Sequence, residues 1–91
     1  MSDAGTARPD GVALTLYGRE YCSLCQEMRQ ALAALAPDLG LRITWFDIDD
    51  DDEMEIKYNE MVPVLVGEAE EVICFYHLNR RALDAYLGRI R

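Results

Sequence analysis

The stretch that decides the reading is Leu14–Leu35, "LTLYGREYCSLCQEMRQALAAL". Val12–Tyr17 alternates in polarity and is bounded by Gly11 and Gly18, the pattern of a buried strand. Past the cysteines, Leu24, Met28, Ala31, Leu32 and Leu35 recur at helical spacing and make one apolar face. Pro37 is expected to stop that helix, because the residue before a proline avoids the helical region. Cys22 therefore falls where a strand gives way to a helix.

Two cysteines at this spacing suit a metal, a disulfide or thiol chemistry, and free cysteines are also common as small buried hydrophobes. The position favours thiol chemistry. The first N–H groups of a helix lack intrahelical partners, and the positive end of the dipole sits among them. A thiolate at Cys22 accepts from those groups, and in such settings cysteine pKa values fall from about 8.5 to roughly 3.5–7.5. Cys25, one turn further in, is expected to be more covered. Cys22 is thus the attacking thiol and Cys25 the resolving one. Arg19 just upstream is expected to add positive potential, with Glu20 opposing it.

Ninety-one residues make one domain with a modest core. No run approaches the roughly 20 apolar residues of a membrane span. Residues 1–11 contain Gly, Pro and small polar residues and no apolar run, and are expected to form a flexible tail before a domain at 12–91. The net charge is −8, concentrated in residues 38–71, where twelve acids face only Arg42 and Lys57. An acidic middle repels nucleic-acid phosphates, so neither a nucleic acid nor a membrane is an expected partner. Three cysteines without a secretory leader do not form a disulfide framework, and a cytoplasmic location is expected.

The remaining elements follow in order. "LRITWFDI" (41–48) is a second strand, rich in β-branched and aromatic residues. The acidic run then opens a short helix over about 51–59. "PVLV" and "EVICFY" are two strands joined by the link 67–70, and Asn79 caps a last helix with Leu83, Tyr86, Leu87 and Ile90 on its apolar stripe. The order is β-α-β-α-β-β-α. The first two strands are expected to be parallel and the last two antiparallel.

"LYGREYCSLC", "KYNEMVPVLV" and this element order resemble the glutaredoxin and thioredoxin family, nearest to a small bacterial glutaredoxin-like group of uncharacterised function. The resemblance spans about 14–87. It implies an α/β thioredoxin fold, a four-stranded mixed sheet flanked by three helices. It further implies that the Val62–Pro63 bond is cis and faces the cysteine pair, and that Val62 and Pro63 position an extended substrate. Tyr21, His77 and Arg80 join them as expected substrate-binding residues, since the segment after "ICF" should come near Cys22. Glutathione-using members carry a Gly-Gly pair and an acidic pair in this corner. Here "GEAEEVICFYHLNRR" has neither and puts Arg80-Arg81 in place of the acids, which weighs against glutathione as the reductant. No tightly bound cofactor is expected.

The activity so implied is thiol–disulfide oxidoreduction on a protein disulfide or small thiol, by a monomer, with a reductase as a candidate partner. The alternative is a zinc-binding or non-catalytic interaction module. Cys22, Cys25, Cys74 and His77 together form a Cys3His ligand inventory, although Cys74 is expected to turn into the core. "DIDDDDE" resembles a calcium loop, but its sixth and twelfth positions are Asp52 and Tyr58 where glycine and glutamate are needed. Asp50–Glu53 suit a helix N-terminus instead.

Overall fold

The computed structural model describes residues 11–91. Of the tail expected over residues 1–11, all but Gly11 lies outside them. Four strands and three helices alternate as β1 (Val12–Gly18), α1 (Ser23–Leu39), β2 (Leu41–Asp47), α2 (Asp52–Tyr58), β3 (Val64–Val66), β4 (Val72–Phe75) and α3 (Arg80–Ile90). The sheet order is β2-β1-β3-β4. β1 and β2 run parallel, with Val12 beside Leu41 and Gly18 beside Asp47. The pairs β1–β3 and β3–β4 are antiparallel.

The period-2 alternation of the strands sorts side chains onto two faces. Val12, Leu14, Leu16, Leu65 and Cys74 face α1 and α3, where they bury Met28, Leu32, Leu83, Tyr86 and Leu87. Tyr17, Val64 and Val66 face the other way and pack with Ile48 and Tyr58 of the acidic segment. A fully buried aliphatic or aromatic side chain contributes roughly 1.5–3 kcal/mol, so these two layers hold the sheet between the helices.

One boundary corrects the sequence reading. The first helix does not stop at Pro37 but runs through it to Leu39, and Gly40 caps it in the left-handed conformation (φ 67°) with its N–H on the Ala36 carbonyl. The bias against helix before proline is outweighed here. In the last turn the missing proline N–H removes a single bond, and a glycine follows that can adopt the capping geometry at no steric cost.

The acid run earns its place by capping. The Asp47 carboxylate accepts from the Asp49 N–H at 2.9 Å and opens a short 3-10 turn over Ile48–Asp50. Asp51 accepts from the Met54 N–H at 3.0 Å and caps α2, whose first turn adds Asp52, Glu53 and Glu55 at the positive end of the dipole. Asn79 caps α3 in the same way through the Ala82 N–H, at 3.0 Å. At the other end of the sheet, the buried Tyr86 of α3 accepts the Glu68 N–H at 2.7 Å and fastens the β3–β4 link.

Candidate functional site

The register places the site. Tyr17 pairs with Val64, and Val64 pairs with Phe75. The end of β1, the start of β3 and the end of β4 therefore meet at one edge of the sheet. The loop to Cys22 leaves from the first, Val62–Pro63 leads into the second, and Tyr76 follows the third.

Cys22 is the N-cap of α1, with extended backbone at φ −101° and ψ 114°. Its sulfur accepts the Cys25 N–H at 3.2 Å, so a first-turn donor without a helical partner points at it. The two cysteines are joined as a disulfide, with Cα atoms 5.1 Å apart. They differ in exposure. Cys25 is wholly buried, and its sulfur also receives the Arg19 N–H at 3.5 Å, whereas Cys22 is partly open to solvent. No buried charged side chain lies among the described residues.

The Val62–Pro63 peptide bond is cis. Val62 packs in the same apolar cluster as Cys25, with Cys22 against its edge. The Pro63 carbonyl accepts the Tyr76 N–H at 2.8 Å. Tyr76 itself sits at φ 67°, unusual for a bulky residue, in a three-residue turn closed by the His77 N–H on the Phe75 carbonyl at 2.6 Å.

The sequence profile of the Glutaredoxin-like domain (DUF836) matches residues 13–88. The chain belongs to this family. No curated protein matches it. Among solved structures it is similar to protein Ne2328 from Nitrosomonas europaea, at 31% identity over 88% of this chain and 95% of that one, with a TM-score of 0.76. It is also similar to protein XcR50 from X. campestris, at 33% identity over 84% of this chain and 96% of that one, with a TM-score of 0.62. Thioredoxin 1 from Thermosipho africanus shares the fold alone, at 16% identity over 86% and 97% of the two chains and a TM-score of 0.61. The glutaredoxin-like domain thus has the thioredoxin fold that the resemblance implied.

The other expected site residues of this glutaredoxin-like domain are dispersed around the pair. Tyr21 is 86% exposed, and its hydroxyl donates to Asp49 at 3.3 Å. The Asp49 charge and that hydrogen bond push its phenol pKa up. His77 is exposed and shares a cavity of about 270 Å³ with Leu24, Glu27, Met28, Ala31, Tyr76 and Leu78, on the flank of α1 next to the cysteines. Arg80 lies at the start of α3, and its guanidinium is held by Asp84 at 3.0 Å one turn along its own helix. Arg81 beside it is exposed.

One expectation changes, and the alternative ligand set does not form. The Arg19 side chain does not lend its charge freely to the cysteines. It is bound to Asp49 at 2.9 Å and to Glu55 at 3.4 Å, and these contacts raise its pKa further. Nor is the Cys3His set assembled: among the described residues no three His, Cys, Asp or Glu side chains come together so as to hold a metal ion. Cys74 is buried in the layer between the sheet and α3, and burial pushes its thiol pKa up. The sequence did not mark the Arg19 contacts, because their partners lie 30 to 40 positions away. The left-handed Tyr76 had no signal either, since no glycine stands there.

Proposed function

We propose that this domain is a thiol–disulfide oxidoreductase in which Cys22 attacks and Cys25 resolves. The observation that carries the reading is the asymmetry of the pair. Cys22 is partly exposed and its sulfur receives a helix N-terminal N–H, while Cys25 is wholly buried. A donor aimed at a sulfur favours the thiolate, which is the nucleophile.

The reduced domain reacts in two exchanges. The Cys22 thiolate attacks one sulfur of a substrate disulfide, that bond breaks, and the other substrate sulfur leaves as a thiolate and takes up a proton. Cys25 then gives up its proton and attacks the Cys22 sulfur. The Cys22–Cys25 disulfide forms, and the remaining substrate sulfur departs as a thiolate and takes up the proton that Cys25 released. The substrate gains two electrons and two protons, and the pair is oxidised. An external dithiol or reductase must supply two electrons to reset it.

In this reading Val62 and Pro63 seat the substrate chain, with Tyr21 and His77 on its margins and Arg80 further out. The substrate is a protein disulfide or the disulfide of a small thiol, and the setting is the reducing cytoplasm. Support for an intracellular redox role comes from the odd cysteine count and from the free, buried Cys74. No helix among the described residues is long and apolar enough to cross a membrane.

Serine variants test the proposal. Cys22→Ser should abolish disulfide reduction, and Cys25→Ser should accumulate a mixed disulfide at Cys22 detectable by intact mass. Full reductase activity in the Cys22→Ser protein would sink it and leave an interaction module on the same fold.

A further inference from the structure

One residue links the cysteine pair to the segment that leads into Val62–Pro63. The backbone of Arg19 brackets the disulfide, with its N–H 3.5 Å from the Cys25 sulfur and its carbonyl accepting the Cys22 N–H at 3.3 Å. Its guanidinium reaches the opposite way. Nε donates to Asp49 at 2.9 Å, Nη1 to the Asn59 carbonyl at 2.9 Å, and Nη2 to the Asn59 side-chain oxygen at 3.0 Å and to Glu55 at 3.4 Å. Asn59 terminates α2, and the chain runs from it through Glu60 and Met61 directly into Val62–Pro63. Tyr21 adds a second strut to the same Asp49 carboxylate.

We propose that Arg19 is a positioning residue that fixes the gap between the Cys22–Cys25 pair and the Val62–Pro63 step before a substrate arrives. The proposal rests on the redox reading above. Each of these contacts is exposed or half-buried, and a single exposed ion pair contributes little. Four bonds on one planar fork are different, because the guanidinium holds its donors in fixed directions and one side chain is ordered once for all of them. A lysine keeps the charge but carries a single nitrogen, so it cannot grip Asp49 and both oxygens of Asn59 together. A pre-set gap lowers what a substrate chain must order on binding, so its loss should appear in KM before kcat.

The test uses the full chain with Arg19→Lys and Arg19→Met. In the oxidised protein the amides of Met61 and Val62 should exchange roughly tenfold faster in both variants, since the segment opens locally without its clamp. With the reduced protein acting on a cystine-containing peptide, KM should rise about fivefold while kcat stays within about twofold. Iodoacetamide needs no seat, and it should alkylate Cys22 of the Arg19→Lys protein at close to the wild-type rate. Asn59→Ala removes one of the four bonds and no charge, and it keeps the test open if the arginine variants do not fold. It should raise KM about twofold.

Unchanged amide exchange overturns the clamp whatever the activity does. Recovery of both readouts by Arg19→Lys overturns it too, by showing that charge alone matters. An unchanged KM with kcat falling in step with the folded fraction would assign Arg19 a merely structural role. Wild-type protein that reduces neither a peptide disulfide nor a small-thiol disulfide instead overturns the redox reading, and the substrate role of Arg19 with it, while the exchange measurement still reports on the clamp itself.

Discussion

Trp45 lies across the Cα of Gly18. A methyl group at that position would come within 2.8 Å of the indole ring and 3.0 Å of the Cys25 sulfur. The guanidinium carbon of Arg29 stands over the indole, 4.2 Å from the ring centroid. The glycine is needed for this close approach of strand, indole and sulfur. Gly18→Ala should therefore overpack the site and destabilise the oxidised protein by about 1–3 kcal/mol. Urea unfolding followed by Trp45 fluorescence measures this directly, and a midpoint equal to wild type would show that the indole swings aside freely.

The reduced domain should present one reactive thiol out of three. Cys25 is wholly buried, and Cys74 is buried with its pKa pushed up by that burial. Cys22 is partly open and receives the Cys25 N–H. Iodoacetamide near neutral pH should add a single carbamidomethyl group, at Cys22, with a rate that levels off below the pH of about 8.5 typical of a free cysteine. Peptide mapping after a brief pulse locates the label. Equal labelling of Cys22 and Cys74 would contradict the asymmetry.

Alkaline stability should depend on Tyr17. Its ring is buried against Phe46 and Tyr58, and its hydroxyl lies 3.3 Å from both carboxylate oxygens of Glu70. Burial first, and then the Glu70 charge, push its pKa from 10.0 up to about 12. The folded state holds this proton more tightly than the unfolded chain does. The stabilisation is therefore complete below pH 10 and is lost as pH rises toward 12. Tyr17→Phe has no proton to lose there. Urea midpoints taken at pH 9 and again near pH 11.5 should converge between wild type and variant, and a parallel decline of the two curves would remove Tyr17 from the account.

Tyr58 offers a stabilising substitution. It is 3% exposed, and its hydroxyl has no hydrogen-bond partner among the described residues. A buried hydroxyl left unpaired costs about 1–3 kcal/mol, so Tyr58→Phe should raise stability by about 1 kcal/mol while keeping the ring contact with Tyr17 at 5.0 Å. Thermal unfolding reads this as a higher midpoint. A lower one would mean that the hydroxyl is satisfied in solution.

Local patterns were enough to recover most of the architecture from the sequence. Alternation marked β1, helical spacing marked α1 and α3, and Asn79 with the acid run marked two helix starts, because each depends on neighbours within about one turn or one strand. The place of Cys22 at a helix N-terminus was legible for the same reason, and with it the deeper burial of Cys25. What no local pattern held was the company the pair keeps. Pro37 reads as a stop until Gly40 is seen to close the helix beyond it. Arg19 reads as free charge until folding brings Asp49, Glu55 and Asn59 against it, and Tyr17 meets Glu70 only across 53 positions of chain. Cys74 is buried in the core, as its residue type suggested, and His77 stays at the surface. The sequence by itself determined the elements and the place of the cysteine pair at a helix start. Only the tertiary structure decided which distant side chains grip the loop around that pair, because long-range contacts follow from how the sheet faces are buried.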